Sequence, residues 1–239
     1  VRPTYHGAVR PELPGPNQFN HAIVYVPRRD RPLWLDCTVK YYSEQSHPAS
    51  LDGALAFIVR AGEDKLTRIK PPQPAQTASR KVLEIELYHD GFGKVKEINE
   101  YVGRSGSYAR TRFRNLEQNR RKKEVERRVD DWEGAHLLGY GNSDPLAVEA
   151  PFREWIEFEG TTFFTPTGSG LNTQLSANSL IHRVLVPEVR REDPKKPPKP
   201  RRYRWERRGV NAREIVCRIQ LTPGMKLQQQ LPEFEVKLP

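Results

Sequence analysis

The chain has little cysteine, little methionine and no long apolar run. Its 239 residues include one methionine and two cysteines, Cys37 and Cys217. Two cysteines can form at most one disulfide, which excludes a disulfide-rich scaffold and a metal cluster built from cysteine. No run of roughly eighteen apolar residues occurs, so the sequence predicts no membrane-spanning helix.

Recognisable metal and phosphate motifs are also missing. Five of the six histidines stand singly, without the spacing of metal ligands: His6, His47, His89, His136 and His182. The segment "GSGLN" at 168–172 lacks the lysine and the strand context of a phosphate-binding loop. We therefore expect no metal site and no cofactor.

Positive charge is concentrated in two segments of a chain whose net charge is +10. Residues 189–208 contain ten Lys and Arg against three Asp and Glu, and residues 110–131 contain nine against five. Binding of a polyanion through residues 189–208 would use phosphate neutralisation and stacking on Tyr203 and Trp205. The alternative is a solvated loop whose charge supports solubility. Since no nucleic-acid-binding motif is present, we do not expect a nucleic-acid partner.

The pattern of apolar residues predicts an α+β protein in two parts. In residues 1–68, two short β-type runs at 21–26 and 33–38 are separated by "PRRDRP" and predict a hairpin. The apolar run Gly53–Gly62 predicts a third strand, buried on both faces. Residues 69–80 contain three prolines and no apolar periodicity, which indicates a linker.

Residues 81–239 are predicted to form a β-rich domain with an inserted helical segment. Alternating residues on either side of "DGFG" indicate a hairpin between about 82 and 101. Helical spacing follows around 106–133 in two apolar stripes, which would lie about 160° apart on one straight helix. Two helices, or one helix with a break near Asn119, are therefore expected. Further strands are predicted at 153–160, 180–187, 212–221 and 231–239.

A histidine and an aspartate share one face of the predicted hairpin. Side chains alternate along a strand, so an even loop such as Arg28–Arg31 places His21 and Asp36 on the same side. Asp36 then lies diagonal to the residue opposite His21, with Cα atoms about 7–8 Å apart. A carboxylate bonded to one imidazole nitrogen fixes the tautomer and stabilises the imidazolium, as the base and its orienter do in a nucleophilic triad. An odd loop would separate the two, and polar residues also end strands without any catalytic role.

The residues around this pair resemble the transglutaminase-like superfamily of papain-related cysteine enzymes. Bacterial multidomain members carry a pattern close to F-N-H, then apolar residues, then W-L-D-P-T. Here "FNH" at 19–21 and "WLDCT" at 34–38 match it, with cysteine in place of proline. The resemblance implies that His21 is the triad histidine and Asp36 the triad aspartate, in a partial core over residues 1–68. A looser resemblance to a β-rich C-terminal domain covers the remainder.

The nucleophile of that family is a cysteine on a helix that precedes the histidine strand, where the helix N-terminus lowers the thiol pKa. No cysteine precedes His21 here, and the only methionine is Met225. We therefore expect a C-terminal fragment that lacks the nucleophile-bearing helix and is inactive alone. Cys37 should point away from the face of Asp36, and Cys217 should be a small buried apolar residue, so neither is assigned as nucleophile.

The leading hypothesis is that the chain is part of an enzyme with a Cys-His-Asp triad. Such an enzyme would hydrolyse or transamidate an amide of a protein or peptide substrate. One alternative is a non-catalytic binding module with a degenerate triad. Another is polyanion binding through residues 189–208. Because family members of this architecture are often exported, the resemblance also implies an extracytoplasmic location.

Overall fold

The computed structural model describes residues 1–12, 15–44, 46–62, 65–162, 164–167, 170–173 and 212–224. Two helices and a five-stranded mixed sheet, with three two-stranded sheets in these ranges, make the protein α+β as predicted. No described helix is both long enough and apolar enough to cross a bilayer. The strands predicted at 180–187 and 231–239, and the basic segment 189–208, lie outside the described residues.

Residues 1–69 contain two small antiparallel sheets. Strands β1 (Val24–Val26) and β2 (Leu33–Leu35) make the predicted hairpin. Strands β3 (Leu55–Phe57) and β4 (Leu66–Arg68) make the second sheet. Their shared core holds five buried residues, Val1, Leu51, Ala54, Ala56 and Ile69, with Ile23 and Trp34 packed against them. Three short 3-10 helices complete this part: Thr4–His6, Pro16–Gln18 and Ala49–Leu51.

The apolar run Gly53–Gly62 is not the doubly buried strand that was predicted. Strand β3 occupies only three of its residues, and the side chains of Phe57 and Val59 are 46% and 91% exposed. An apolar run specifies that contacts with apolar groups are favourable, but it does not say whether those groups belong to the same chain. This exposed apolar segment borders the groove described below.

The larger sheet has five strands. Strands β5 (Ala78–Leu87) and β6 (Phe92–Tyr101) form the hairpin predicted around "DGFG", with Gly91 at φ 87° in the turn. Strand β8 (Phe152–Thr162) pairs antiparallel with β6, and β7 (His136–Asn142) pairs antiparallel with β8. Strands β9 (Phe164–Thr167) and β10 (Gly170–Thr173) form a separate hairpin. Strand β11 (Ala212–Leu221) pairs in parallel with β5 at the other edge, so the strand order is β11-β5-β6-β8-β7.

Two helices cover one face of this sheet. Helix α1 (Gly103–Asn115) and helix α2 (Gln118–Asp130) are separated at Leu116 and Glu117, close to the predicted break. Arg121 closes the corner, since its Nε donates to the Leu116 carbonyl and its guanidinium lies 4.0 Å from the Phe113 ring centre. The main core holds the following side chains, against which Val125 and Trp132 pack: Leu83, Ile85, Leu87, Val95, Val129, Ile156 and Phe158.

The segment predicted as a linker, 69–80, is built into the fold. Ile69 is fully buried, residues Pro74–Thr77 form a 3-10 helix against α1, and β5 already begins at Ala78. Proline fixes the backbone φ angle and removes an N–H donor, but neither property requires exposure to solvent. Parts of this segment are therefore regular structure with buried side chains.

Gly103 sets how closely α1 approaches this segment. Its φ is +55°, and a Cβ there would lie 1.9 Å from the carbonyl oxygen of Gln76. We predict that Gly103→Ala lowers the free energy of unfolding by at least about 2 kcal/mol, because the backbone is strained and a packed contact is forced apart. Urea denaturation measures this.

The matched control is Gly15→Ala. Gly15 has an extended φ of 162°, and nothing lies within 4 Å of a Cβ placed there. Equal unfolding free energies for the two alanine variants would contradict the proposed contact.

Candidate active site

The β1–β2 hairpin brings His21 and Asp36 together. Val26 pairs with Leu33, so the loop has six residues rather than the four of the sequence-based prediction. Six is also even, which keeps His21 and Asp36 on one face, and the pairing register still places Asp36 diagonal to the residue opposite His21. The Nε2 atom of His21 lies 2.9 Å from Oδ2 of Asp36. The predicted contact is confirmed; its catalytic role stays a prediction.

Asp36 is held in place by the residue two positions further on. Its side chain is 4% exposed, and its Oδ1 accepts hydrogen bonds from the backbone N–H and the hydroxyl of Thr38, at 3.1 and 2.6 Å. Burial raises the pKa of Asp36, but these bonds and the bond from His21 outweigh it, so the pKa lies below its ordinary value. Asp36 is therefore ionised at neutral pH and has one oxygen committed to each partner.

The ionised carboxylate determines the tautomer of His21. A carboxylate can only accept hydrogen bonds, so Nε2 of the neutral imidazole carries the proton and Nδ1 is left as the basic nitrogen. Nδ1 has no hydrogen-bond partner in the part of the chain that the structure describes. Main-chain bonds between His21 and Val1, at 2.8 and 3.1 Å, fix the backbone of the histidine. The pair can thus accept a proton at Nδ1 and stabilise the resulting imidazolium.

The imidazole of His21 lines an apolar groove of about 930 Å³ between the two small sheets. The groove lies between Ile23, Tyr25 and Trp34 on the hairpin side and the segment 56–60 on the other. His21 is 23% exposed there, whereas Asp36 is behind it and is not part of the lining. A reacting group in the groove would contact the base but not its orienter.

Neither cysteine lies in this groove. Cys37 is exposed in the turn after β2, and Cys217 is half-buried in β11 beside the main core. Burial raises the pKa of the Cys217 thiol, which is the opposite of nucleophile activation. Among the described groove-lining residues there is no cysteine, serine or threonine.

A second His–Asp pair is buried in residues 1–69, and no sequence pattern predicts it. The Nε2 atom of His47 is 3.0 Å from Oδ1 of Asp52, and Arg104 of α1 grips both oxygens of Asp52 at 2.7 and 2.9 Å. Arg104 also donates to the His47 carbonyl at 2.9 Å. Because His47 and Arg104 are only 4% and 5% exposed, this cluster joins residues 1–69 to the helical layer rather than meeting a substrate. Arg104 is 57 positions from His47, so no local pattern relates them.

The segment that links the two pairs is anchored on α1 as well. Tyr41 adopts φ 64°, a conformation rare for a non-glycine residue, and its carbonyl accepts a 2.7 Å bond from the Ser107 hydroxyl. The ring of Tyr42 packs edge-on against Tyr108, with ring centres 6.3 Å apart. Burial raises the pKa of the Tyr42 phenol, so it remains neutral at physiological pH.

Comparisons with known proteins identify no relative. No protein-family model matches the chain, and neither the curated proteins nor the solved structures contain a match. Within the described ranges, no three His, Cys, Asp or Glu side chains are grouped closely enough to hold a metal ion. What can be said of the site therefore rests on its residues.

Thr38 is expected to tune the carboxylate of Asp36. Thr38→Val removes the 2.6 Å hydroxyl bond but keeps the backbone N–H bond. We predict a higher Asp36 pKa in this variant, because a bond that favours the charged form is lost. Carboxyl ¹³C NMR titration measures it. Thr38→Ser, which retains the hydroxyl, is the control; the same pKa in all three proteins would show that the bond has no effect.

The Asp52 cluster predicts a pH-dependent stability. Burial raises the pKa of Asp52, and the bonds from His47 and Arg104 outweigh it, leaving the pKa below its ordinary value. Ionised Asp52 therefore stabilises the fold at neutral pH, and this contribution is lost as the pH falls below about 4 toward the folded-state pKa. We predict that Asp52→Asn lowers the unfolding free energy by about 3 kcal/mol at pH 7, since it leaves Arg104 buried without a counter-charge.

Urea denaturation across the range from pH 7 to pH 3 tests this, and the loss should shrink on acidification. Asp30→Asn is the control, because Asp30 is exposed in the β1–β2 loop. An Asp52→Asn loss that is independent of pH would refute the electrostatic role of the carboxylate.

Proposed function

We propose that the chain carries the histidine and aspartate of a transglutaminase-like cysteine enzyme that acts by acyl transfer at an amide. The 2.9 Å bond from His21 to the buried, ionised Asp36 is the observation that carries the proposal. A purely structural ion pair would not require its histidine to be partly exposed in the lining of a groove, as His21 is. The "FNH" and "WLDCT" segments support the same assignment.

In this mechanism His21 takes the proton of the attacking thiol at Nδ1 and later returns it to the leaving amine. Asp36 keeps Nε2–H in place and stabilises the imidazolium while the proton is held on the ring. Thr38 positions Asp36 by donating two hydrogen bonds to Oδ1, the carboxylate oxygen that does not contact His21. The apolar walls of the groove lower the local water content, which strengthens these charge interactions.

The thiol is proposed to come from outside the groove-lining residues, on a segment of a longer protein. The residues 1–68 correspond, on this proposal, to the part of the catalytic core that follows the nucleophile helix.

The test uses the longest chain that the gene encodes. Its activity is measured as amide hydrolysis and as hydroxamate formation from glutamine-containing peptides in hydroxylamine. We predict that His21→Ala lowers kcat/KM by at least about 10³-fold and Asp36→Asn by about 10²- to 10⁴-fold, because proton transfer and its orientation are lost. Full activity in the His21→Ala protein would contradict the proposal.

Residues 1–239 alone provide a check on the nucleophile. Alkylation of Cys37 by iodoacetamide should proceed at the same rate in the unmodified chain and in His21→Ala, since Cys37 does not line the groove. Cys37→Ser identifies the labelled thiol. A rate that depends on His21 would assign Cys37 as the nucleophile instead.

A further inference from the structure

Most of the described residues that line the groove beside His21 are apolar. Phe57 and Val59 present large apolar side chains to it at 46% and 91% exposure. Isolated exposed apolar residues are ordinary, but these two stand together with Ile58, Tyr25 and Trp34 around one concave space. Its volume of about 930 Å³ is at the upper end of the range for ligand-binding sites.

Among the described residues, the charged side chains that line the groove are all basic. Arg10 and Arg60 both line it and are both exposed. Neither makes an ion pair within the described residues, and no described acidic side chain belongs to the lining. Arg10 is also held by Gln18, whose side chain bonds to the Arg10 backbone N–H and carbonyl at 2.8 and 3.1 Å. The groove therefore combines an apolar surface with two available guanidinium groups, which favour a carboxylate.

The surroundings favour an extended main chain over a lipid. Each small sheet has two strands in the described part of the chain. The carbonyl of Leu55 accepts a 3.4 Å bond from the Arg2 N–H, whereas Val24–Val26, Ala56 and Phe57 make no described backbone bond outside their own sheet, so part of each edge remains unpaired. Backbone N–H and C=O groups at a strand edge bind another extended chain, while alternate side chains enter neighbouring pockets. A hydrocarbon tail would leave these polar groups without partners.

We propose that the groove binds an extended peptide segment in which a bulky apolar side chain is next to an acidic residue. The apolar side chain contacts Tyr25, Trp34 and Phe57, and the carboxylate is bound by Arg10 or Arg60. As a statement about the substrate, this rests on the proposed function, since it places the peptide beside His21. As a statement about binding, it requires no nucleophile.

The test measures binding of a fluorescein-labelled glycine hexapeptide with a central phenylalanine followed by glutamate, using fluorescence anisotropy with the 239-residue chain. We expect saturable binding, weakened at least about tenfold when the glutamate is replaced by lysine or the phenylalanine by alanine. Arg10→Gln with Arg60→Gln should weaken binding of the glutamate peptide about tenfold and leave the lysine peptide unaffected. Val59→Arg should strengthen binding of the glutamate peptide, because it adds a cation at an exposed position.

The matched control is Arg120→Gln with Lys123→Gln. Both residues are exposed on α2 and outside the groove, and their removal changes the net charge equally. If this variant lost as much affinity as the groove variant, the binding would be non-specific and the proposal would fail. Failure of the unmodified chain to bind the glutamate peptide while binding laurate would also overturn it.

His21→Ala separates this proposal from the proposed function. The variant should still bind the glutamate peptide saturably and in preference to the lysine peptide, since the apolar wall and the arginines are intact. Peptide binding combined with full activity of His21→Ala in the longer protein would reject the catalytic role and keep the groove. Loss of activity in His21→Ala, together with no peptide binding by the unmodified chain, would keep the catalytic role and reject the groove as a peptide site.

Discussion

The fold depends on one buried carboxylate, Asp52. Two groups from the first part of the chain and the helical layer meet at it: the imidazole of His47 and the guanidinium of Arg104. A charge in such a place is tolerated only when its hydrogen-bonding capacity is filled. Because the partners lie on separate elements, the requirement to satisfy Asp52 fixes residues 1–69 against α1.

That attachment determines where the candidate site lies. The segment between Asp36 and Asp52 is held at both ends by carboxylates and in the middle by the Ser107 bond to the Tyr41 carbonyl. The strained φ of Tyr41 is maintained by these contacts. Helix α1, which packs on the larger sheet, thus supports the β1–β2 hairpin beside His21. That hairpin is a sheet of only two strands. A hairpin of this size would be only marginally stable alone.

The two His–Asp pairs show how similar contacts differ in chemical use. In both, Nε2 of the imidazole meets a carboxylate oxygen at about 3 Å. His47 is closed off by Arg104 and by its own burial, so it has no access to a ligand. The side chain of His21 is 23% exposed and lines a groove with apolar walls, to which Arg10 and Arg60 also belong. Exposure, rather than the pair itself, separates a candidate base from a structural residue.

The sequence by itself determined the α+β class, the "DGFG" hairpin, the division of the helical stretch near Asn119 and the meeting of His21 with Asp36. All four depend on periods and loop parity that act over short distances along the chain. Only the tertiary structure decided that 69–80 is built in, that Phe57 and Val59 face solvent, and that Asp52 binds Arg104. These outcomes depend on which distant elements pack together, and a buried polar partner 52 positions away leaves no local pattern in the sequence.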